Sequence, residues 1–141
     1  MSRIFWDTNL FIYLFEDYGT HSEEVAQLRR KMLQRGDELI TSTLTMGELL
    51  TGPRKSGHQE LCQKYEEAIR ATAIVVSFDL AAARSYAWLR AQPRKIAPPD
   101  AIQLACASAA GVDLFLTNDT RLHEVKMEGI HFITSVDRAP L

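Results

Sequence analysis

Two rhythms of apolar residues alternate along this chain. Short apolar or β-branched runs bounded by charged and turn-forming residues mark strands at Arg3 to Asp7, Leu39 to Ser42, Ala73 to Ser77, Val112 to Thr117 and His131 to Ile133. Between them the spacing becomes helical. Leu10 to Phe15 is apolar nearly all round, which predicts a deeply packed helix. The next helix has Thr20 or Ser22 as its expected cap, Glu23 and Glu24 in the first turn, Val25, Leu28 and Met32 on one face, and Gly36 just past its end. A short helix from about Thr43 carries Glu48 and is expected to stop at Gly52-Pro53. Another, from roughly His58 to Arg70, spaces Leu61, Tyr65, Ala68 and Ile69 for one buried face. Asp79 is the expected cap of a helix reaching about Ala91, with Leu80, Ala83 and Ala87 along one side. Pro98-Pro99-Asp100 opens an Ala-rich helix that Gly111 closes, and a brief helix lies near Thr120 to Glu124.

Strands that alternate with helices imply an α/β fold, a central mainly parallel sheet of about four to five strands with helices on both faces. At 141 residues the chain suits one domain spanning residues 1–141. Hydrophobic content of 46% and charged content of 24% exclude disordered and collagen-like classes. The early apolar run is far too short to span a membrane and lacks a cleavage pattern, so no membrane association and a cytoplasmic location are expected. Cys62 and Cys106 are isolated, outside any Cys-x-x-Cys pair, and read as buried reduced packing residues. The formal charge of -2 does not advertise nucleic-acid binding, although bound dications would reverse its sign. The basic pairs Arg54-Lys55 and Arg94-Lys95 read as solvated surface.

Four acidic residues stand where apolar segments stop: Asp7, Glu48, Asp100 and Asp119. In a parallel sheet, ligands bind beyond the carboxyl ends of the strands, near the point where strand order reverses. Asp7 and Asp119 lie at two such ends, and right-handed crossovers bring Glu48 and Asp100 to the same rim. Singly, Asp7, Asp100 and Asp119 are also explained as helix-start residues that satisfy free backbone N–H groups. Glu48 is mid-helix, where an exposed position on a helix edge is the ordinary explanation. Together, with the polar companions Thr8, Asn9, Thr117 and Asn118, they form an oxygen-only set suited to Mg2+ or Mn2+. Ionised carboxylates beside a core repel one another and want a cation. His21, His58, His123 and His131 lack zinc-ligand spacing, and neither a phosphate-binding Gly-x-x-x-x-Gly-Lys loop nor a Gly-x-Ser-x-Gly elbow occurs.

Asp7-Thr8-Asn9-Leu10-Phe11 after the first strand, Glu48 after the second, Pro99-Asp100-Ala101 opening the Ala-rich helix, and Leu116-Thr117-Asn118-Asp119 after the fourth strand resemble the PIN-domain ribonucleases, most closely the VapC-type toxins of toxin-antitoxin pairs. The resemblance runs from Arg3 to about Ile133. It implies a PIN fold, Mg2+- or Mn2+-dependent endonucleolytic cleavage of RNA, a cognate antitoxin protein and a homodimer. By position it implies Asp7, Glu48, Asp100 and Asp119 as catalytic and metal-binding residues, with Thr8, Asn9, Thr117 and Asn118 in support. For dimer contacts, the Leu10 to Phe15 run and the helix from Ser22 are candidates, core packing being the alternative for the former. Many relatives carry a further Asp-Phe pair after the fourth strand, where this chain has Leu122-His123.

Three other readings stay open from the residues. A haloacid-dehalogenase-type, Mg2+-dependent phosphatase would want Asp-x-Asp, and Asn9 occupies the second position. A phospho-receiver module would want adjacent acidic residues on the first strand and a late lysine, neither of which is present. A PIN-like RNA- or protein-binding module with weak or no nuclease activity is compatible with every motif.

Overall fold

The computed structural model describes residues 1–141. Its strands are β1 (Arg3–Trp6), β2 (Glu38–Ser42), β3 (Ile74–Val76), β4 (Val112–Leu116) and β5 (Ile130–Thr134). Its helices are α1 (Thr8–Phe15), α2 (Thr20–Arg35), α3 (Thr43–Lys55), α4 (Gln59–Thr72), α5 (Leu80–Arg90) and α6 (Pro98–Ala110). The five strands form one sheet in the order β3-β2-β1-β4-β5, and every pairing is parallel. β1 is central, so its run is apolar on both sides. Phe5 joins the core beneath α5 and α6, with Ile40, Leu104 and Phe115, whereas Ile4 and Trp6 join the opposite core with Leu10, Val25, Met32 and Ile69. The two-residue period of the strand sorts neighbouring side chains to opposite faces in this way. Phe5 and Phe115, paired in register across β1 and β4, stack with ring centroids 5.0 Å apart.

Strand order reverses between β1 and β4: from β1 the chain winds outward through β2 to β3, and from β4 it winds the other way to β5. The carboxyl ends of β1 and β4 therefore flank the crevice where ligands bind in open parallel sheets. Asp79 caps α5 by accepting from the Ala82 N–H at 2.9 Å, and Gly36 ends α2 in the left-handed region. Cys62 and Cys106 are buried and unpaired. No helix is long and apolar enough to cross a membrane.

Four local expectations change. α3 runs through Gly52-Pro53 to Lys55, because a proline in the last turn forfeits only one intrahelical bond. The chain turns instead at Gly57, whose φ of 72° suits glycine. Neither Thr20 nor Ser22 caps α2: Thr20 is its first residue, the N-cap is Gly19, and the Ser22 hydroxyl donates to the Glu16 carbonyl at 2.7 Å. α5 buries Ala82 and Leu89 against the core and leaves Leu80 68% exposed, since its packed side runs through Ala82, Tyr86 and Leu89. The segment after β4 forms only a 3-10 turn at Thr120–Leu122.

Candidate active site at the carboxyl rim of the sheet

Asp7 is the first residue beyond β1 and the N-cap of α1, accepting the Thr8 N–H at Oδ1 over 2.8 Å. The capping explanation is thus correct as far as it goes. It leaves the rest of the carboxylate to explain. Asp7 is 8% exposed. Its Oδ2 accepts from the Thr117 hydroxyl at 2.7 Å, across the gap between the β1 and β4 ends, and its Oδ1 lies 3.4 Å from the Gln103 amide nitrogen. All three partners are neutral donors. Burial pushes the Asp7 carboxyl above its ordinary range, and the Glu48 charge adds to the rise, against the hydrogen bonds that pull it down.

Glu48 reaches this network through Thr8, whose hydroxyl donates to Oε1 at 2.6 Å. Glu48 itself is exposed on the edge of α3. Asp100, in the first turn of α6, is half-buried. Its carboxyl is raised by burial first and then by the charges of Asp7 and Asp119, with Arg121 acting in the opposite direction. Asp119 caps the 3-10 turn and is gripped by Arg121, which holds it below the usual carboxylate range. The four predicted acids therefore occupy one rim and interact electrostatically: Glu48 with Asp7, and Asp7 and Asp119 with Asp100.

Of the supporting residues, Thr8 and Thr117 are buried within the network, and the Thr117 hydroxyl also accepts the Asp119 N–H at 3.1 Å. The buried Asn9 side-chain oxygen has no partner. Asn118 instead lines an adjoining cleft of about 980 Å³, with Tyr13, His21, Arg94, Arg121 and His123 among its other walls. Leu122 is buried in the core and His123 bonds the Thr117 carbonyl at 3.0 Å, so the Leu122-His123 pair adds no carboxylate.

A second polar layer went unpredicted. Gln103, 2% exposed, donates to Thr45 Oγ1 at 2.7 Å and to Thr8 Oγ1 at 3.0 Å, and its side-chain oxygen accepts from the Ser42 hydroxyl. Thr41 donates to the Trp6 carbonyl at 3.0 Å and lies 2.9 Å from Thr45 Oγ1. Buried and shared, these groups orient Thr8 and Asp7. The available signal was Gln103 itself, a long polar side chain three positions after Asp100 in a helix whose other polar residues are Asp100 and Ser108.

The donor chemistry fits a hard dication. The set is oxygen-only, and two of its members are raised by burial and mutual repulsion, strain that a bound cation would relieve. The arrangement is incomplete, however: no three His, Cys, Asp or Glu side chains stand together in a way that would hold a metal ion. The expectation of one fully converged acidic pocket is met only as far as electrostatic proximity, because Glu48 turns to Thr8 and Asp119 to Arg121.

A doubly wound parallel sheet with carboxylates at its switch point defines the class to which this fold and rim belong. The chain belongs to the PIN domain family, whose sequence model matches residues 4–127. No curated protein matches it in sequence. Among solved structures, a chain of the DNA-bound VapBC complex from Salmonella typhimurium is 24% identical, with a TM-score of 0.72 over 96% of this chain and 99% of that one. A chain of a toxin-antitoxin complex from Klebsiella pneumoniae is 25% identical, with a TM-score of 0.65 over 90% and 94%. Mycobacterium tuberculosis VapC20, a sarcin-ricin-loop-cleaving toxin, is 16% identical, with a TM-score of 0.58 over 79% and 86%.

Proposed function

We propose that this protein is a Mg2+- or Mn2+-dependent endoribonuclease, the toxin of a cytoplasmic toxin-antitoxin pair, which hydrolyses RNA phosphodiester bonds. The observation that carries the reading is Asp7: a buried carboxylate at the switch point, held by neutral donors, near further carboxylates and paired with no basic side chain. Family membership and the likeness to VapBC chains and to an RNA-cleaving toxin support it. They also support an antitoxin partner. A homodimer belongs to the same reading, with the outer face of α2 as its candidate surface.

Asp7 and Asp100 would hold the metal, with Glu48 and Asp119 as further ligands or as acceptors for metal-bound water. When bound, the metal supplies Lewis-acid polarisation of a phosphoryl oxygen and a water of lowered pKa. Thr117 and Gln103 keep the Asp7 carboxylate oriented toward the rim, and Thr8 positions Glu48. The closed Phe5–Phe115 stack and the core beneath them give this polar layer a rigid floor.

The test is to incubate the purified protein with total cellular RNA, with and without Mn2+, and to map new ends. Metal-dependent ends that vanish in Asp7→Asn and Asp100→Asn are expected. The lack of a ready three-carboxylate arrangement favours a second reading, a PIN-domain binding module with weak or no nuclease activity. Absence of metal-dependent ends from wild-type protein would decide for it.

A further inference from the structure

The positive charge that the acidic rim calls for is partly supplied by an arginine. Arg121 follows Asp119 by two residues, and its guanidinium grips that carboxylate in a fork, Nε to Oδ1 at 2.9 Å and Nη2 to Oδ2 at 2.7 Å. The Arg121 backbone N–H adds a third contact to Oδ1, at 3.0 Å. Both Asp119 oxygens are thus engaged by Arg121. The same guanidinium acts on Asp100, whose carboxyl it pulls downward against the repulsion of Asp7 and Asp119. It therefore grips one of the carboxylates proposed to bind the cation and acts on a second through its charge alone.

Two features make this fork reversible. The Arg121 side chain is 79% exposed and that of Asp119 20% exposed, so the guanidinium can move into solvent without disturbing the core, and solvent screens the pair. Arg121 also lines the 980 Å³ cleft with Asn118, Thr120 and His123, where a phosphodiester beside the rim would meet the guanidinium. Phosphate oxygens offer that planar fork a bidentate partner equivalent to a carboxylate.

Building on the nuclease reading above, we propose that Arg121 is a substrate-released clamp: without RNA its guanidinium occupies Asp119 and withholds it from the metal, and an RNA phosphate in the adjoining cleft takes over the guanidinium and frees Oδ2, leaving Oδ1 on its backbone N–H cap. The clamp links the two ligands. Whatever factor RNA gains by releasing Asp119 to the metal, the metal returns to RNA, since coupling between two bound ligands is reciprocal.

Mn2+ binding, read from the free-ion electron paramagnetic resonance signal in the absence of RNA, tests the clamp on wild type, Arg121→Ala, Asp119→Asn and the double variant. Arg121→Ala is expected to bind Mn2+ about two- to fivefold more tightly, the modest factor an exposed ion pair can withhold. In the Asp119→Asn background the same change is expected to lose most of that gain, because no carboxylate remains to be released. Equal tightening in both backgrounds would reduce Arg121 to a nearby positive charge and overturn the clamp. Unchanged or weaker Mn2+ binding by Arg121→Ala would overturn it too. A second arm measures anisotropy of an uncleavable 2′-O-methyl RNA oligonucleotide without metal. There Arg121→Ala is expected to bind more weakly, with a log–log salt slope shallower by about one; an unaltered slope would reject the phosphate handover. If Asp7→Asn and Asp100→Asn keep wild-type Mn2+ affinity, both the site and the clamp fall. If Mn2+ binding requires Asp7 and Asp100 but Arg121→Ala brings no gain, the site stands and the clamp alone is removed.

Discussion

Asp7 and Asp37 are buried to nearly the same degree, 8% and 9% exposed, at opposite rims of the sheet. Asp37 precedes β2 and is fully compensated: its Oδ1 accepts the Ser2 N–H at 2.7 Å and its Oδ2 the Arg35 guanidinium at 2.9 Å. Nearby, Arg3 pairs with Glu38 and closes the end of α6 by donating to the Ala110 and Gly111 carbonyls. That rim is electrostatically finished, and it ties the amino terminus to the sheet. Asp7 has donors but no cation, and its charged neighbours are acids. Burial alone therefore does not single out a functional carboxylate. What distinguishes Asp7 is burial left without an opposite charge, a condition stable proteins avoid unless something else binds there.

The largest effect expected from breaking this contrast is on chemistry. Asp7→Asn should lower Mn2+-dependent RNA cleavage by on the order of a hundredfold or more. Asp37→Asn should leave the rate per folded molecule near wild type, as measured by initial rates on a labelled RNA. Equal losses in the two variants would erase the distinction between the rims. Gln103→Ala comes next. It leaves the buried Ser42 hydroxyl without its acceptor and takes a donor from Thr45 and Thr8, and should reduce stability by about 1–3 kcal/mol. Cleavage should fall roughly tenfold, as for a residue that orients a ligand-bearing side chain; urea melts and initial rates report the two effects.

Stability should separate the two aspartates by sign. In EDTA, Asp37→Ala should lower stability by about 1–3 kcal/mol, since it leaves the Ser2 N–H and the Arg35 guanidinium without their acceptor. Asp7→Asn should raise the melting temperature by a few degrees, because it removes an uncompensated buried charge. A lower melting temperature for Asp7→Asn in EDTA would mean that its acceptor role outweighs its charge.

The smallest effect is the pH dependence of that difference. The folded Asp7 carboxyl titrates above its ordinary value of 3.8 because burial disfavours the charged form. Below the ordinary value both folded and unfolded chains are protonated at this residue, and Asp7 should contribute little to the difference between wild type and Asp7→Asn. As pH rises the unfolded chain ionises first. Wild-type stability then falls relative to the variant until the folded carboxyl has ionised as well, and stays lower beyond that. Thermal melts in EDTA across the acidic range should show this gap opening with pH; a gap that closes would reverse the assignment.

Much of this was legible in the residues. All five strands were placed within a few residues of their observed ends, because short apolar or β-branched runs and their turn boundaries are local signals, even in the partly exposed edge strands β3 and β5. Asp79 and Gly36 announced helix ends for the same reason. Gly52-Pro53 misled because proline near a helix end removes little, and Leu80 misled because the packed side of a helix depends on its neighbour and not on its own apolar residues alone. Within the site, the acids stood out through their places in the chain. Gln103, Thr45 and Ser42 did not, because single polar residues in helices and strands are usually solvated, and only packing shows that these are buried together.

The chain by itself determined which segments become strands and helices and which side chains carry negative charge at their ends, since both follow from local periodicity and residue chemistry. Tertiary structure decided the strand order, and with it the meeting of Thr117 with Asp7 at 2.7 Å across a sequence separation of 110 residues. Asp37 and Asp119 each meet an arginine two residues away in the chain, a local pairing, whereas Asp7 is paired with no basic side chain. Thr117 and Gln103, neutral donors that hold Asp7, lie 110 and 96 residues away in sequence, and they reach its carboxylate only once the sheet has closed around β1.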